Sequence, residues 1–188
     1  MLGRPAGPPV RWAAVRVSVI GCSGAGKTTF GKALAARLGV PFVELDSIFH
    51  QAGWTPLPDD EFRARVRAVA ASDAWVVDGN YGAVRPIVLE RATTVVWLDY
   101  SHARVMQQVL RRSLVRGLTR HELWNGNRED PREWLQPGHP IRWAWSQHGR
   151  KRAEYEARLG GPAHADLSVF RFRAPRAART WLASLPDD

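Results

Sequence analysis

The stretch Gly21-Cys22-Ser23-Gly24-Ala25-Gly26-Lys27-Thr28 decides the fold of this chain. It fits the pattern G-x-x-x-x-G-K-[ST], which indicates phosphate binding only where it lies between a strand and a helix. Residues 16–20 form a short β-branched run before it, and residues 27–38 after it have helical periodicity that stops at Gly39 and Pro41. Strand, glycine-rich loop and helix therefore follow in the required order, and the stretch predicts a phosphate-binding loop.

The residue types in this loop suit a triphosphate. Glycines allow successive backbone N–H groups to turn toward phosphate oxygens, and the N-terminus of the helix adds the positive end of its dipole. Lys27 is expected to reach the β- and γ-phosphates, and the Thr28 hydroxyl to be a ligand of Mg²⁺. The alternative is a glycine-rich turn without a ligand. The predicted nucleotide-binding residues are Gly21, Ser23, Gly24, Ala25, Gly26, Lys27, Thr28 and Thr29.

Strand and helix patterns alternate along the rest of the chain. Further strands are predicted at residues 41–45, 75–77, 93–98 and 167–172, and further helices at 59–72, 83–91, 101–117, 141–159 and 176–185. Such alternation implies right-handed crossovers and a parallel sheet with helices on both faces. The predicted architecture is an α/β domain in three layers, α/β/α.

The domain organisation follows from length and composition. A chain of 188 residues with 45% hydrophobic content can bury one substantial core, so residues 15–188 are predicted to form a single domain. Residues 1–14, rich in Pro, Gly and Arg, have no period and are predicted to be a flexible tail. Residues 117–140 combine Gly, Pro, Asn and charge without clear periodicity, which predicts a lid. No apolar run approaches the ~20 residues needed to cross a bilayer.

Net charge and cysteine content indicate the class of partner and the cellular compartment. The net charge of +9 favours an anionic partner, and phosphorylated metabolites, nucleotides and nucleic acids all qualify. Only three of the 27 basic residues are lysines, so a lysine inside the loop is informative. Cys22 is the only cysteine, which excludes an internal disulfide and suits a reducing cytoplasm.

Two acidic residues stand where predicted strands end. Asp78 follows an apolar strand and is predicted to hold the magnesium shell beside the loop; a turn aspartate before Gly79 is the alternative. Asp46 is predicted to orient or deprotonate an acceptor hydroxyl, and its alternative is the N-cap of a short helical turn at 47–50. The carboxyl edge of a parallel sheet is where α/β proteins bind ligands, which favours the functional interpretation of both.

Arginines gather on the helix that leads to the lid. Their guanidinium groups suit bidentate recognition of phosphate and neutralise charge on a transferring phosphoryl group. We expect two of them to touch phosphate when the lid closes, although a solvated helix face is the alternative for each one. Arg112, Arg116 and Arg120 are the predicted catalytic members, with Arg104, Arg111 and Arg128 nearby.

These features resemble the P-loop kinases of the adenylate kinase, shikimate kinase and gluconate kinase type. The resemblance is greatest to the adenylate-kinase-like proteins called DNA topology modulation proteins, and it runs from about residue 16 to residue 159. The residues that carry it are the loop, Leu45-Asp46, Gly53-Trp54, Trp75-x-x-Asp78-Gly79-Asn80-Tyr81 and the arginine-rich helix. It implies a five-stranded parallel sheet, ATP or GTP with Mg²⁺, and lid arginines that close over phosphates. Glu44 and Asp46 resemble the Asp-x-Asp of shikimate kinases, from which Glu44 departs.

Three functions remain open at this point. The first is a phosphotransferase that moves the γ-phosphate to a small anionic acceptor, a nucleotide or a hydroxyl metabolite, held by Asp46, Asn80, Tyr81 and Arg85. The second is a nucleic-acid-associated ATPase or polynucleotide kinase, motivated by the pI near 10.9 and the basic lid. The third is a regulatory protein that binds ATP with little turnover.

Overall fold

A computed structural model describes residues 14–119, 122–130, 132, 134, 136, 140–161 and 164–186. Almost all of the predicted tail and Arg120 lie outside these residues. Five parallel strands form one sheet in the order β2-β3-β1-β4-β5. The strands are β1 (Arg16–Gly21), β2 (Phe42–Glu44), β3 (Trp75–Asp78), β4 (Thr94–Leu98) and β5 (Ser168–Phe172). The predicted five-stranded parallel sheet is confirmed.

Seven α-helices are described around the sheet. They are α1 (Lys27–Arg37), α2 (Leu45–Phe49), α3 (Asp59–Ala70), α4 (Arg85–Arg91), α5 (His102–Thr119), α6 (Pro140–Leu159) and α7 (Pro175–Ala183). Their order confirms the predicted alternation. Several boundaries differ by one or two residues, and two of these differences bear on the site: α5 continues to Thr119, beyond the predicted start of the lid, and β2 ends at Glu44. Asp46 therefore lies in the first turn of α2, which begins at the buried residue Leu45.

Strand residues alternate between the two faces of the sheet, as the period of a β-strand requires. Val17 and Val19 of β1 and Val96 of β4 pack on the side that contains α1 and α7. Trp75 and Val77 of β3 pack on the opposite side with α3 and α4. Helices thus cover both faces, which confirms the predicted three-layer α/β/α architecture.

The order of the strands brings distant acidic residues to one edge. Parallel pairing places Val19 opposite Asp78, and Glu44 opposite Asp78, at the carboxyl ends of three neighbouring strands. The phosphate loop leaves β1 at this same edge. The carboxyl edge around β1 is therefore the place where this fold assembles a site. None of the described helices has the length and apolar character that crossing a membrane requires.

Candidate active site

A cavity of about 1180 Å³ lies at the carboxyl edge of the sheet. It contains the phosphate loop, the ends of β2 and β3, and side chains of α5 and α6. Among the described residues its lining includes Gly21, Ser23, Gly24, Gly26, Lys27, Thr28, Thr29, Glu44, Asp46, His50, Asp78, Asn80, Tyr81, Gln108, Arg111, Arg112, Arg116, Trp124, Arg150, Lys151 and Tyr155. Most of the predicted site residues therefore line one cavity.

Glycine is required at two positions of the loop. Gly24 and Gly26 have φ of 83° and 84°, a left-handed conformation that disfavours side chains. A Cβ added at Gly24 would also lie 2.9 Å from the Cβ of Val109 on α5, so the loop packs directly on that helix. Ala25 is buried and its N–H donates to the carbonyl of Cys22 at 3.1 Å, which closes the turn. Ala25 itself does not line the cavity, unlike the other predicted loop residues.

Thr28 stands between two carboxylates. Its Oγ1 lies 2.6 Å from Asp78 Oδ2 and 2.9 Å from Glu44 Oε1, and one hydroxyl proton can be donated to only one of them. Asp78 is buried, and burial raises the pKa of its carboxyl, while nearby Lys27 and the hydrogen bond from Thr28 lower it in part. The second oxygen, Asp78 Oδ1, is buried without a hydrogen-bond partner in the described part of the chain.

The side of the cavity beyond the loop is built around Asp46. The Tyr81 hydroxyl donates to Asp46 Oδ1 at 2.5 Å and lies 3.3 Å from His50 Nε2. Burial, and then the Asp46 charge, raise the pKa of Tyr81 far above its usual value, so Tyr81 stays a donor at neutral pH. Burial lowers the pKa of His50, with Asp46 acting in the opposite direction, so the imidazole is mainly neutral. A carboxylate is thus held beside the phosphate loop by neutral groups.

Two predicted acceptor residues belong to a network that ties β3 to α6. Asn80 donates to the hydroxyl of Tyr155 and accepts from Arg85 Nε at 2.5 Å. Arg85 is buried and bonded also to Glu154, which accepts from Lys151 at 2.9 Å. Asn80 lines the cavity, but Arg85 lies behind it and does not. Arg85 therefore supports Asn80 rather than facing the cavity.

The arginines of α5 divide into two groups. Arg112 and Arg116 line the cavity: Arg112 donates to Ser23 Oγ at 3.4 Å, and Arg116 pairs with Glu129 at 3.0 Å. Burial and the like charge of Arg116 lower the pKa of Arg112, and its buried Nε has no partner among the described residues. Such an N–H suits an anion. Arg111 also lines the cavity, whereas Arg104 is exposed and Arg128 pairs with exposed Glu122.

Known proteins match both the sequence and the fold. A family model described as shikimate kinase matches residues 23–58. The shikimate kinase of Ruegeria pomeroyi is 32% identical over 161 residues, a match that covers 81% of this chain and 74% of that protein. The chain belongs to the shikimate kinase family. The match to the shikimate kinase of Novosphingobium aromaticivorans, 32% identical over 114 residues, covers 50% of this chain and 58% of that protein.

A solved structure confirms the fold of this shikimate kinase family member. Shikimate kinase from Acinetobacter baumannii in complex with shikimate has a TM-score of 0.54 at 20% identity, with 92% of this chain and 91% of that chain covered. The predicted P-loop kinase type is confirmed. The closer resemblance to DNA topology modulation proteins stays a prediction, and these matches give no support to the nucleic-acid alternative. Shikimate kinases use ATP and Mg²⁺, which supports the predicted cofactors.

The residues at the start of α1 and at the ends of β2 and β3 fit Mg²⁺. Thr28 Oγ1 lies within 2.9 Å of both Asp78 Oδ2 and Glu44 Oε1, Asp78 Oδ1 has no partner among the described residues, and Mg²⁺ prefers oxygen ligands. A cation there would also relieve the competition of two carboxylates for one hydroxyl proton. One or two side chains plus substrate phosphates are the usual protein contribution to a magnesium site, so a larger cluster is unnecessary.

We expect Asp78→Asn to weaken the response to magnesium. Removing one carboxylate charge from the group around Thr28 should raise the Mg²⁺ concentration for half-maximal turnover about 10- to 100-fold. Titration of Mg²⁺ at fixed ATP measures this. Asp99→Asn is the matched control, because Asp99 is equally buried but bonded to Arg171 at 2.6 Å outside the main cavity. An unchanged Mg²⁺ requirement in Asp78→Asn would contradict the assignment.

Several residues of the cavity were missed from the sequence. His50 gave no signal, because it belongs to no motif and meets the site through a turn. Lys151 did give a signal, because it is one of only three lysines in the chain. The contacts of Glu154 and Tyr155 could not be foreseen, because they depend on how α6 crosses the sheet edge.

Proposed function

We propose that this chain is an ATP-dependent kinase that transfers the γ-phosphoryl group to a hydroxyl of a small anionic metabolite, with shikimate as the acceptor. The observation that carries the proposal is that one cavity holds both the phosphate loop and the Asp46 carboxylate. A regulatory ATP-binding protein needs the loop alone. A hydroxyl acceptor needs a carboxylate within reach of its proton and of the γ-phosphate.

The loop side of the cavity would hold MgATP. Lys27 would contact the β- and γ-phosphates, and Thr28, Asp78 and Glu44 would hold the metal, which supplies charge neutralisation on the phosphates when bound. Arg112 and Arg116 would contact the transferring group from α5. Because such groups are fixed before reaction, they stabilise developing charge without reorganising. GTP fits the loop equally, and the family membership favours ATP.

The opposite side would hold the acceptor. Asp46 would accept the proton of the attacking hydroxyl, and Tyr81 would occupy the first carboxylate oxygen so that the second faces the acceptor. Among the described lining residues there are six cationic side chains and three carboxylates. This excess of positive charge would favour an anionic acceptor in addition to MgATP. The Glu44 departure from Asp-x-Asp fits this division, since Glu44 reaches Thr28 while Asp46 reaches Tyr81.

The test is ATP turnover with a panel of acceptors. ADP release would be followed with shikimate, other hydroxy acids, sugars and nucleoside monophosphates, and ³¹P NMR would identify the product. We expect shikimate to raise turnover at least about tenfold above the acceptor-free rate. A nucleoside monophosphate as the only effective acceptor would overturn the metabolite assignment. Turnover unchanged by every acceptor would overturn the kinase assignment and return the ATPase and sensor hypotheses.

A further inference from the structure

Two tight turns meet at the mouth of the cavity. The first, the acceptor loop (residues 50–56), contains a 3-10 turn at Ala52–Trp54 and is pinned by a bridge between His50 and Pro56. The second, the lid turn (residues 122–128), contains a 3-10 turn at Trp124–Gly126 and is pinned by a bridge between Glu122 and Arg128. They come from distant parts of the chain and lie directly against each other.

Asn127 joins the two turns through both ends of its amide. Its Oδ1 accepts from the backbone N–H of Trp54 at 2.8 Å, and its Nδ2 donates to the carbonyl of Gln51 at 2.9 Å. Asn127 is buried, at 5% exposure, although it belongs to a surface turn. A buried polar side chain whose donor and acceptor both reach the backbone of one loop holds that loop in a single conformation.

The acceptor loop needs such support because its backbone is strained. Trp54 has φ of 57°, a left-handed conformation that is unfavourable for a bulky side chain. The bond from Trp54 N–H to Asn127 is made in that conformation. Asn125 adds a second support, because its Nδ2 donates to the carbonyl of His50 at 2.5 Å.

The same contacts lead to the proposed base. Trp124 of the lid turn stacks on the His50 ring, with centroids 6.0 Å apart and planes 20° apart, and both line the cavity. His50 in turn lies 3.3 Å from the Tyr81 hydroxyl that donates to Asp46. The wall of the acceptor side is therefore completed by a residue of the lid.

We propose that Asn127 is a positioning residue that assembles the acceptor side of the cavity only when the lid turn is docked on the acceptor loop. The inference rests on the proposed function. With the lid undocked, Trp54 loses its amide partner and His50 loses the Trp124 ring, so the wall beside Asp46 is incomplete. The hydrogen bonds described for the phosphate loop involve neither turn, so we expect nucleotide binding there to be largely independent of this support. Asn127 thus sets acceptor affinity without touching nucleotide.

The first test is the split of kinetic constants in Asn127→Ala. We expect the KM for the acceptor to rise about tenfold or more while the KM for ATP stays within about twofold, because only the acceptor side loses its support. Asn125→Gly should act in the same direction, since glycine keeps the positive φ of 56° and removes only the amide. Glu122→Gln is the control: it removes an exposed ion pair of the same turn and should change neither constant.

The second test needs no acceptor. Hydrogen exchange in the peptide that contains Gln51 and Trp54 should be faster in Asn127→Ala than in the wild type, with α1 and β1 unchanged. Unchanged exchange there, or an equal rise in both KM values, would overturn the role of Asn127. If exchange changes as expected but no acceptor supports turnover, the docking stands and the proposed function fails.

Discussion

Lys27→Ala is expected to reduce ATP turnover by roughly 10³-fold. The Lys27 ammonium lines the cavity, and its nearest described hydrogen-bond partner is the carbonyl of Cys22 at 3.4 Å, a long and weak contact. It is therefore available to a phosphate group. Its charge acts on the β- and γ-phosphates in the bound state and in the transition state, so both binding and catalysis should suffer.

ADP release and calorimetric binding of a non-hydrolysable ATP analogue would measure the two losses separately. Lys32→Ala is the matched control, because Lys32 lies on the same helix with its ammonium 5.9 Å from the centre of the Phe42 ring and does not line the cavity. We expect that variant to retain wild-type turnover. Turnover of Lys27→Ala within tenfold of the wild type would be incompatible with a phosphate-binding role for this loop.

Asp46→Asn should reduce the turnover that an acceptor adds about 10²- to 10⁴-fold and leave MgATP binding intact. The amide has nearly the same shape as the carboxylate and can still accept from Tyr81, but it cannot take a proton from the attacking hydroxyl. The variant therefore distinguishes the acceptor side of the cavity from the nucleotide side, because the phosphate loop and the residues around Thr28 are unchanged.

Turnover with and without acceptor distinguishes this result from a general loss of activity. Asp60→Asn is the control, since Asp60 is fully exposed at the start of α3. An acceptor increment that survives in Asp46→Asn would assign proton removal to another group or to water. A parallel loss of analogue binding would instead indicate that Asp46 supports the nucleotide site.

The predictions that succeeded rest on local constraints. The loop could be located because left-handed residues at Gly24 and Gly26 and a lysine at Lys27 are needed in a continuous stretch. The strands of the sheet could be located because buried parallel strands are short apolar runs. Boundaries were less certain: Asp46 was expected at the end of a strand and lies in a helix, since pairing of β2 stops at Glu44.

The placement of side chains around the cavity required the tertiary structure. The meeting of Glu44 with Asp78 at Thr28 depends on the register of β2 on β3, which no local pattern specifies. Arg85 is among the residues predicted to hold the acceptor, yet it turns away to Glu154, which lies 69 positions later in the chain. Burial of the guanidinium against α6 explains this difference.

The sequence alone therefore determined the fold class, the phosphate loop and the acidic edge of the sheet, because each depends on residues close together in the chain. The tertiary structure decided that Glu44 and Asp78 meet at Thr28, that Tyr81 donates to Asp46, and that Asn127 joins the lid turn to the acceptor loop. The physical reason is separation: Asn127 reaches Trp54 across 73 positions. Such contacts arise only when helices and strands pack.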